Sequence, residues 1–148
     1  MIFQRKKKET PTTTAIMRAP VTCYLSGPFG QVDIARAVAL HRDCAAHLVR
    51  LGYSVVSPIL NSVPVWLETR EDVDTPWWES LEEPLIEMAD VFVVIITVPT
   101  FLSPGVQREI EIATRLDKLI RGIIPLSDNR FVIADLPGAE HVDTDSAE

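Results

Sequence analysis

The sequence predicts an α/β fold, an open parallel sheet of four to five strands with helices on both faces. Three observations predict it. Short apolar, β-branched runs alternate along the chain with longer stretches of helical periodicity. One of those runs, Val91 to Thr97, is apolar and β-branched throughout, the pattern of a strand covered on both faces. At 148 residues, 47% hydrophobic and 24% charged, the chain has the length and apolar content for one domain around one core.

In chain order, residues 1–20 read as a flexible basic tail and 137–148 as an acidic one, both polar and without periodicity, leaving 21–136 as the folded domain. Val21 to Leu25 is the first strand. It runs into the turn Ser26-Gly27-Pro28-Phe29-Gly30 and then a long helical pattern that ends at Gly52. Ile34, Val38, Ala45, Leu48 and Val49 share one face of that helix with His41, which reads as a core histidine satisfied by a hydrogen bond. Tyr53 to Ser57 is a second strand, and Pro58 begins a loop to about Pro76. Trp77 to Met88 is helical, with Pro84 kinking or splitting it. After the third strand and a short turn come a helix from Pro104 to Leu116, a strand from Leu119 to Ile124 and a weaker one at Phe131 to Ile133. This alternation is flavodoxin-like or Rossmann-like, and such sheets hold ligands at the carboxyl ends of their strands. Loops 26–30, 58–75 and 97–105 are therefore the ones to face a ligand.

Composition excludes several functional classes. The longest apolar run, Val91 to Val98, has eight residues, against the roughly 20 of a membrane span. The basic cluster Arg5 to Lys8 continues into Glu-Thr-Pro-Thr-Thr-Thr where a signal peptide needs an apolar stretch, which points to a cytoplasmic location. Cys23 and Cys44 form no CxxC pair, and His41 and His47 lie on different sides of their helix, so neither a metal nor a cofactor is expected. The net charge is −7, and the stretch between the tails is acidic as well, which disfavours long nucleic acid as a partner.

The chemistry concentrates at two helices. In Leu102-Ser103-Pro104-Gly105-Val106, Ser103 is a natural N-cap and Pro104 suits the first helical position, so free backbone N–H groups and the positive helix end face the ligand side. With Val106 at zero, Ile110, Ala113, Leu116 and Ile112 project between about 240° and 40°, and Glu109 near 300° falls inside that apolar arc. Gln107, Arg108, Glu111 and Arg115 make up the wet face. A carboxylate on a packing face is costly unless paired or used. The same projection over 77–88 groups Leu81, Leu85, Met88 and Ala89 with Glu82 and leaves Glu79, Glu83 and Glu87 in solvent. Two carboxylates in one cleft suit glycosidic cleavage, one attacking or stabilising the sugar carbon while the other positions the sugar or manages the proton.

Together, Tyr24-Leu-Ser-Gly-Pro28, Ser57-Pro-Ile59, Trp77 through Ala89-Asp90 and Ser103-x-Gly105-Val-x-x-Glu109-x-x-x-Ala113 resemble the nucleoside 2-deoxyribosyltransferase-like superfamily. That superfamily includes the 2′-deoxynucleoside 5′-monophosphate N-hydrolases and an uncharacterised branch frequent in phages. The resemblance implies Glu109 as the catalytic glutamate, Glu82 where an aspartate usually stands near sugar and base, and Tyr24, with Ser26, Gly27 and Pro28, at the pocket. It also implies Ser103 and Gly105 as holders of a 5′-phosphate. The sequence departs from the pattern at Leu60-Asn61-Ser62-Val63-Pro64, where the phage-rich branch tends to carry histidines, and at Asp117, where a glycine is usual.

The expected function is therefore cleavage of the N-glycosidic bond of a nucleoside or nucleotide, by hydrolysis or base transfer. Glu109 would be nucleophile, assisted by Glu82 and Tyr24, in a homodimer or higher homo-oligomer as is usual in the family. Asn61 and Trp66 are candidates for the base. The main alternative is a binding or sensing module for a nucleotide derivative on the same fold; a third is an interaction protein with a surface patch at Trp66, Trp77 and Trp78.

Overall fold

The computed structural model describes residues 20–30 and 32–136. Apart from Pro20, the two tails read from the sequence lie outside the described residues. A five-stranded sheet runs in the order β2-β1-β3-β4-β5, built from β1 (Thr22–Ser26), β2 (Ser54–Val56), β3 (Val91–Ile95), β4 (Leu119–Pro125) and β5 (Phe131–Asp135). The first four pair in parallel, with Tyr24 beside Val56 on one side and Phe92 on the other.

β5 is antiparallel to β4, where the sequence alone suggests a parallel strand. The reason is the connection. Residues 126–130 are too few for a crossover, which takes a dozen or more, so the chain turns back as a hairpin. Asn129 carries the positive φ of 59° within that turn.

Alternate residues of the central strands go to opposite faces. Cys23, Leu25, Val91, Val93 and Ile95 pack under helix α1 (Ile34–Arg50), which buries Ala37, His41, Cys44, Ala45 and Leu48 against them. Tyr24, Phe92 and Val94 face the other way, against Ile86 and Ala89 at the end of α4 (Glu82–Met88) and Val106 and Ala113 of α5 (Pro104–Arg115). The expected layers, helices on both faces, are present.

Two helical regions differ from expectation. Residues 58–76 are not a loop: α2 spans Pro58–Thr69, and the short α3 spans Thr75–Glu79. Ser57 caps α2 by accepting the Leu60 N–H at 3.3 Å, and Pro58 takes a first-turn position where no N–H is needed. Pro64 lies within α2, and the burial of Val63 and the packing of Leu60 on the core under α1 hold the helix across it. The pattern over 77–88 is indeed split, but at Ser80-Leu81 rather than at Pro84, which occupies the first turn of α4. The break shifts the helical phase, so Met88, expected on the packing face, is 73% exposed. No helix among the described residues is long and apolar enough to cross a membrane.

Candidate active site

The carboxyl ends of β1 and β2 open onto a cleft of about 590 Å³ walled by α2, α3, α4 and the start of α5. Gly27 and Phe29 line it from the turn after β1, Ser62 and Trp66 from α2, Trp78 and Glu79 from α3, Glu82 from α4, and Ser103, Gly105, Arg108 and Glu109 from α5. Its aromatic side is ordered by an edge-to-face contact of Phe29 with Trp66 at 5.6 Å.

Glu109 stands on the sheet side of α5, as the helical projection requires. Both its oxygens are occupied: the Tyr24 hydroxyl donates to Oε1 at 2.7 Å, and the Ser26 hydroxyl donates to Oε2. Tyr24 and Ser26 are two residues apart on β1 and so point to the same face of the sheet. Tyr24 is itself fully buried and stacked on Phe92, with ring centroids 5.6 Å apart and planes 10° from parallel. Loss of water raises the Glu109 pKa to about 7. The Ser26 and Tyr24 hydroxyls pull it back, the Glu82 charge adds to the rise, and Arg108 opposes it. Burial, reinforced by Glu109, holds the Tyr24 phenol far above its ordinary range, so it remains a donor.

Glu82, the other carboxylate expected in the cleft, is gripped at both oxygens by Arg108: Nε donates to Oε2 at 2.9 Å and Nη2 to Oε1 at 2.8 Å. Glu79 approaches the same guanidinium at 3.2 Å. Arg108 falls on the wet face of the helical projection, yet its long side chain folds back into the cleft wall. Arg108 and Arg115 are two helical turns apart and match consecutive acids, Arg115 meeting Glu83 at 2.9 Å.

Ser103 caps α5 by accepting the Val106 N–H at 3.3 Å, and with Gly105 it lines the cleft at that helix start. Pro28 is buried and is not among the lining residues, and Asn61 is exposed on α2, where Ser62 and Trp66 line the cleft instead.

His41 is core, as expected, but not satisfied: neither ring nitrogen has a hydrogen-bond partner among the described residues. Burial lowers its pKa to about 4, with the backbone of Pro28 and Gly27 pulling the other way, and the ring is neutral. The ring packs against the Gly27 backbone. A Cβ on Gly27 would meet Ile95 Cδ1 at 2.8 Å and His41 Cε1 and Nε2 at 2.9 Å. Because both neighbours are fully buried, Gly27→Ala is expected to destabilise the fold by about 1–3 kcal/mol, read as a lower urea midpoint at unchanged slope.

A family model described as a domain of unknown function, DUF1937, matches residues 18–121. The chain belongs to that family. The matched DUF1937 span contains Tyr24, Ser26, Glu82, Arg108 and Glu109, and ends before β5. No curated protein matches the sequence. Among solved structures, this DUF1937 chain is similar to the CMP N-glycosidase of Clostridium botulinum, with 19% identity, 70% of this chain and 71% of that one covered, and a TM-score of 0.46. It is also similar to a 2-deoxyribosyltransferase from the psychrotolerant bacterium Bacillus psychrosaccharolyticus, with 21% identity, coverages of 72% and 74%, and a TM-score of 0.45.

Proposed function

We propose that the protein cleaves the N-glycosidic bond of a nucleoside or nucleoside 5′-monophosphate, passing the sugar to water or to a second base. The observation that carries this reading is the Glu109 carboxylate, partly buried in the cleft wall with a hydroxyl donor on each oxygen. A carboxylate so held is oriented for attack and partly shielded from water.

In the proposed reaction a lone pair of Glu109 forms a bond to the anomeric carbon as the bond to the base nitrogen breaks. The base leaves with the bonding pair and takes up a proton from solvent, which is returned to solvent when the attacking water or second base loses its own. Water or the nitrogen of a second base then attacks the same carbon and releases Glu109. Tyr24 and Ser26 keep the carboxylate pointed at the sugar and stabilise its charge when it is expelled. Glu82 gives one lone pair on each oxygen to Arg108 and keeps a second for a sugar hydroxyl. Ser103 and Gly105 would meet a 5′-phosphate at the positive end of α5.

The test is to incubate the purified protein with ribo- and deoxyribonucleosides and their monophosphates, with and without a second free base, and to follow released base by chromatography. Base released by the natural protein and not by Glu109→Ala is the expected result. Intact substrates across the whole panel, or full turnover by the variant, overturn the reading.

A further inference from the structure

We propose that Arg108 is a positioning residue of this site: its forked grip fixes Glu82 in the cleft wall and brings a positive charge to the cleft that Glu109 also lines. The inference rests on the reading of Glu109 as nucleophile and extends it to a residue that does not itself touch the reacting bond.

Three carboxylates line the cleft, Glu79, Glu82 and Glu109, and Arg108 is the one cation among the described lining residues. A nucleophilic carboxylate next to a second bare carboxylate is pushed toward its protonated, unreactive form. Arg108 removes that conflict in two ways. It satisfies Glu82 with two parallel N–H bonds of 2.9 and 2.8 Å, a geometry that a lysine cannot reproduce. It also offsets the negative charge that α3 and α4 present, since Glu79 reaches the same guanidinium from the other side. Glu82 is only 15% exposed at its side chain and Arg108 36%, so the carboxylate is the shielded half of the pair and the guanidinium keeps one side toward solvent. Burial is the main influence on the charge of Glu109, and the groups that modulate it are the Ser26 and Tyr24 hydroxyls from β1, then Glu82 from α4 and Arg108 from α5.

A purely structural role, tying α4 to α5, is separable because Arg115 and Glu83 make a second bridge between the same two helices at exposed positions. The experiment follows the carboxyl carbon of Glu109 by carbon NMR in protein labelled at its glutamates, the signal assigned by its loss in Glu109→Gln. Alongside it, the pH profile of kcat/KM for base release is measured. Arg108→Gln is expected to bind the Glu109 proton about tenfold more tightly, moving the titration and the acid limb up by about one pH unit. Adding Glu82→Gln to that variant should return both toward the natural value. Arg108→Lys keeps the charge and should hold the titration while base release falls, and Arg115→Gln should move neither. An unmoved titration in Arg108→Gln, or an equal shift in Arg115→Gln, overturns the proposal. Because the NMR titration needs no turnover, absence of base release would overturn the proposed reaction alone.

Discussion

Replacing Glu109 by Gln is expected to remove base release by at least about 10³-fold, as loss of a nucleophile does, and at the same time to make the folded chain more stable at pH 8. The two effects have one source. In the unfolded chain this carboxyl titrates near 4.5, and in the fold near 7, chiefly because burial disfavours its charge. The folded state therefore holds the proton more tightly. The stability linked to this group is complete below pH 4.5 and is lost as pH rises through 7. A shift of that size corresponds to roughly 3 kcal/mol. Gln has the same shape and no charge, and the Tyr24 and Ser26 hydroxyls can each accept as well as donate. Urea denaturation at pH 8 should show Glu109→Gln more stable than the natural protein, and at pH 4 the difference should vanish. In the natural protein, kcat/KM should climb through an acid limb near pH 7, because the carboxylate is the attacking form. A variant no more stable at pH 8 would show that the charge is compensated, and one with intact turnover would remove Glu109 from the chemistry.

Phe92→Ala is expected to produce the largest loss of stability, about 3–5 kcal/mol. Phe92 is fully buried near the start of β3, in one cluster with Tyr24 and Val94 of the sheet, Ile86 of α4 and Val106 and Ala113 of α5, so its removal leaves a cavity between the sheet and two helices. The substitution also removes the ring on which Tyr24 stacks. With that support gone the Tyr24 hydroxyl is less firmly held against Glu109, so base release should fall in the surviving folded protein by up to about 10²-fold. Equilibrium unfolding measures the first effect, and assay at low temperature, where the variant remains folded, measures the second. Full activity in folded Phe92→Ala would mean that the Tyr24–Glu109 hydrogen bond alone sets the carboxylate.

Much of the site is legible before folding. Glu109 is found by phase alone: on a helix whose ends are marked by Ser103-Pro104 and Leu116, a carboxylate inside the apolar arc has to face the sheet, and it does. Ser103 as cap and the strand covered on both faces, read over Val91 to Thr97 and formed over Val91–Ile95, are legible for the same reason, each being a property of a few adjacent residues. Pro58 and Pro64 mislead because proline reads as a breaker, whereas after Ser57 it is a helix starter and at 64 packing overrides it. Arg108 is hidden because a projection places the Cα, not the end of a long side chain.

The sequence by itself determined the α/β class, the five strands in order and the carboxylate that faces the sheet, because periodicity and capping act within one or two turns. The tertiary structure alone decided the hydrogen bond from Tyr24 to Glu109 across 85 residues, the clasp of Arg108 on Glu82 across 26, the reversed fifth strand and the close approach of the His41 ring to Gly27. Those depend on where the path of the chain brings distant groups, and the free energy that selects the path is shared by the whole core rather than written in any one segment.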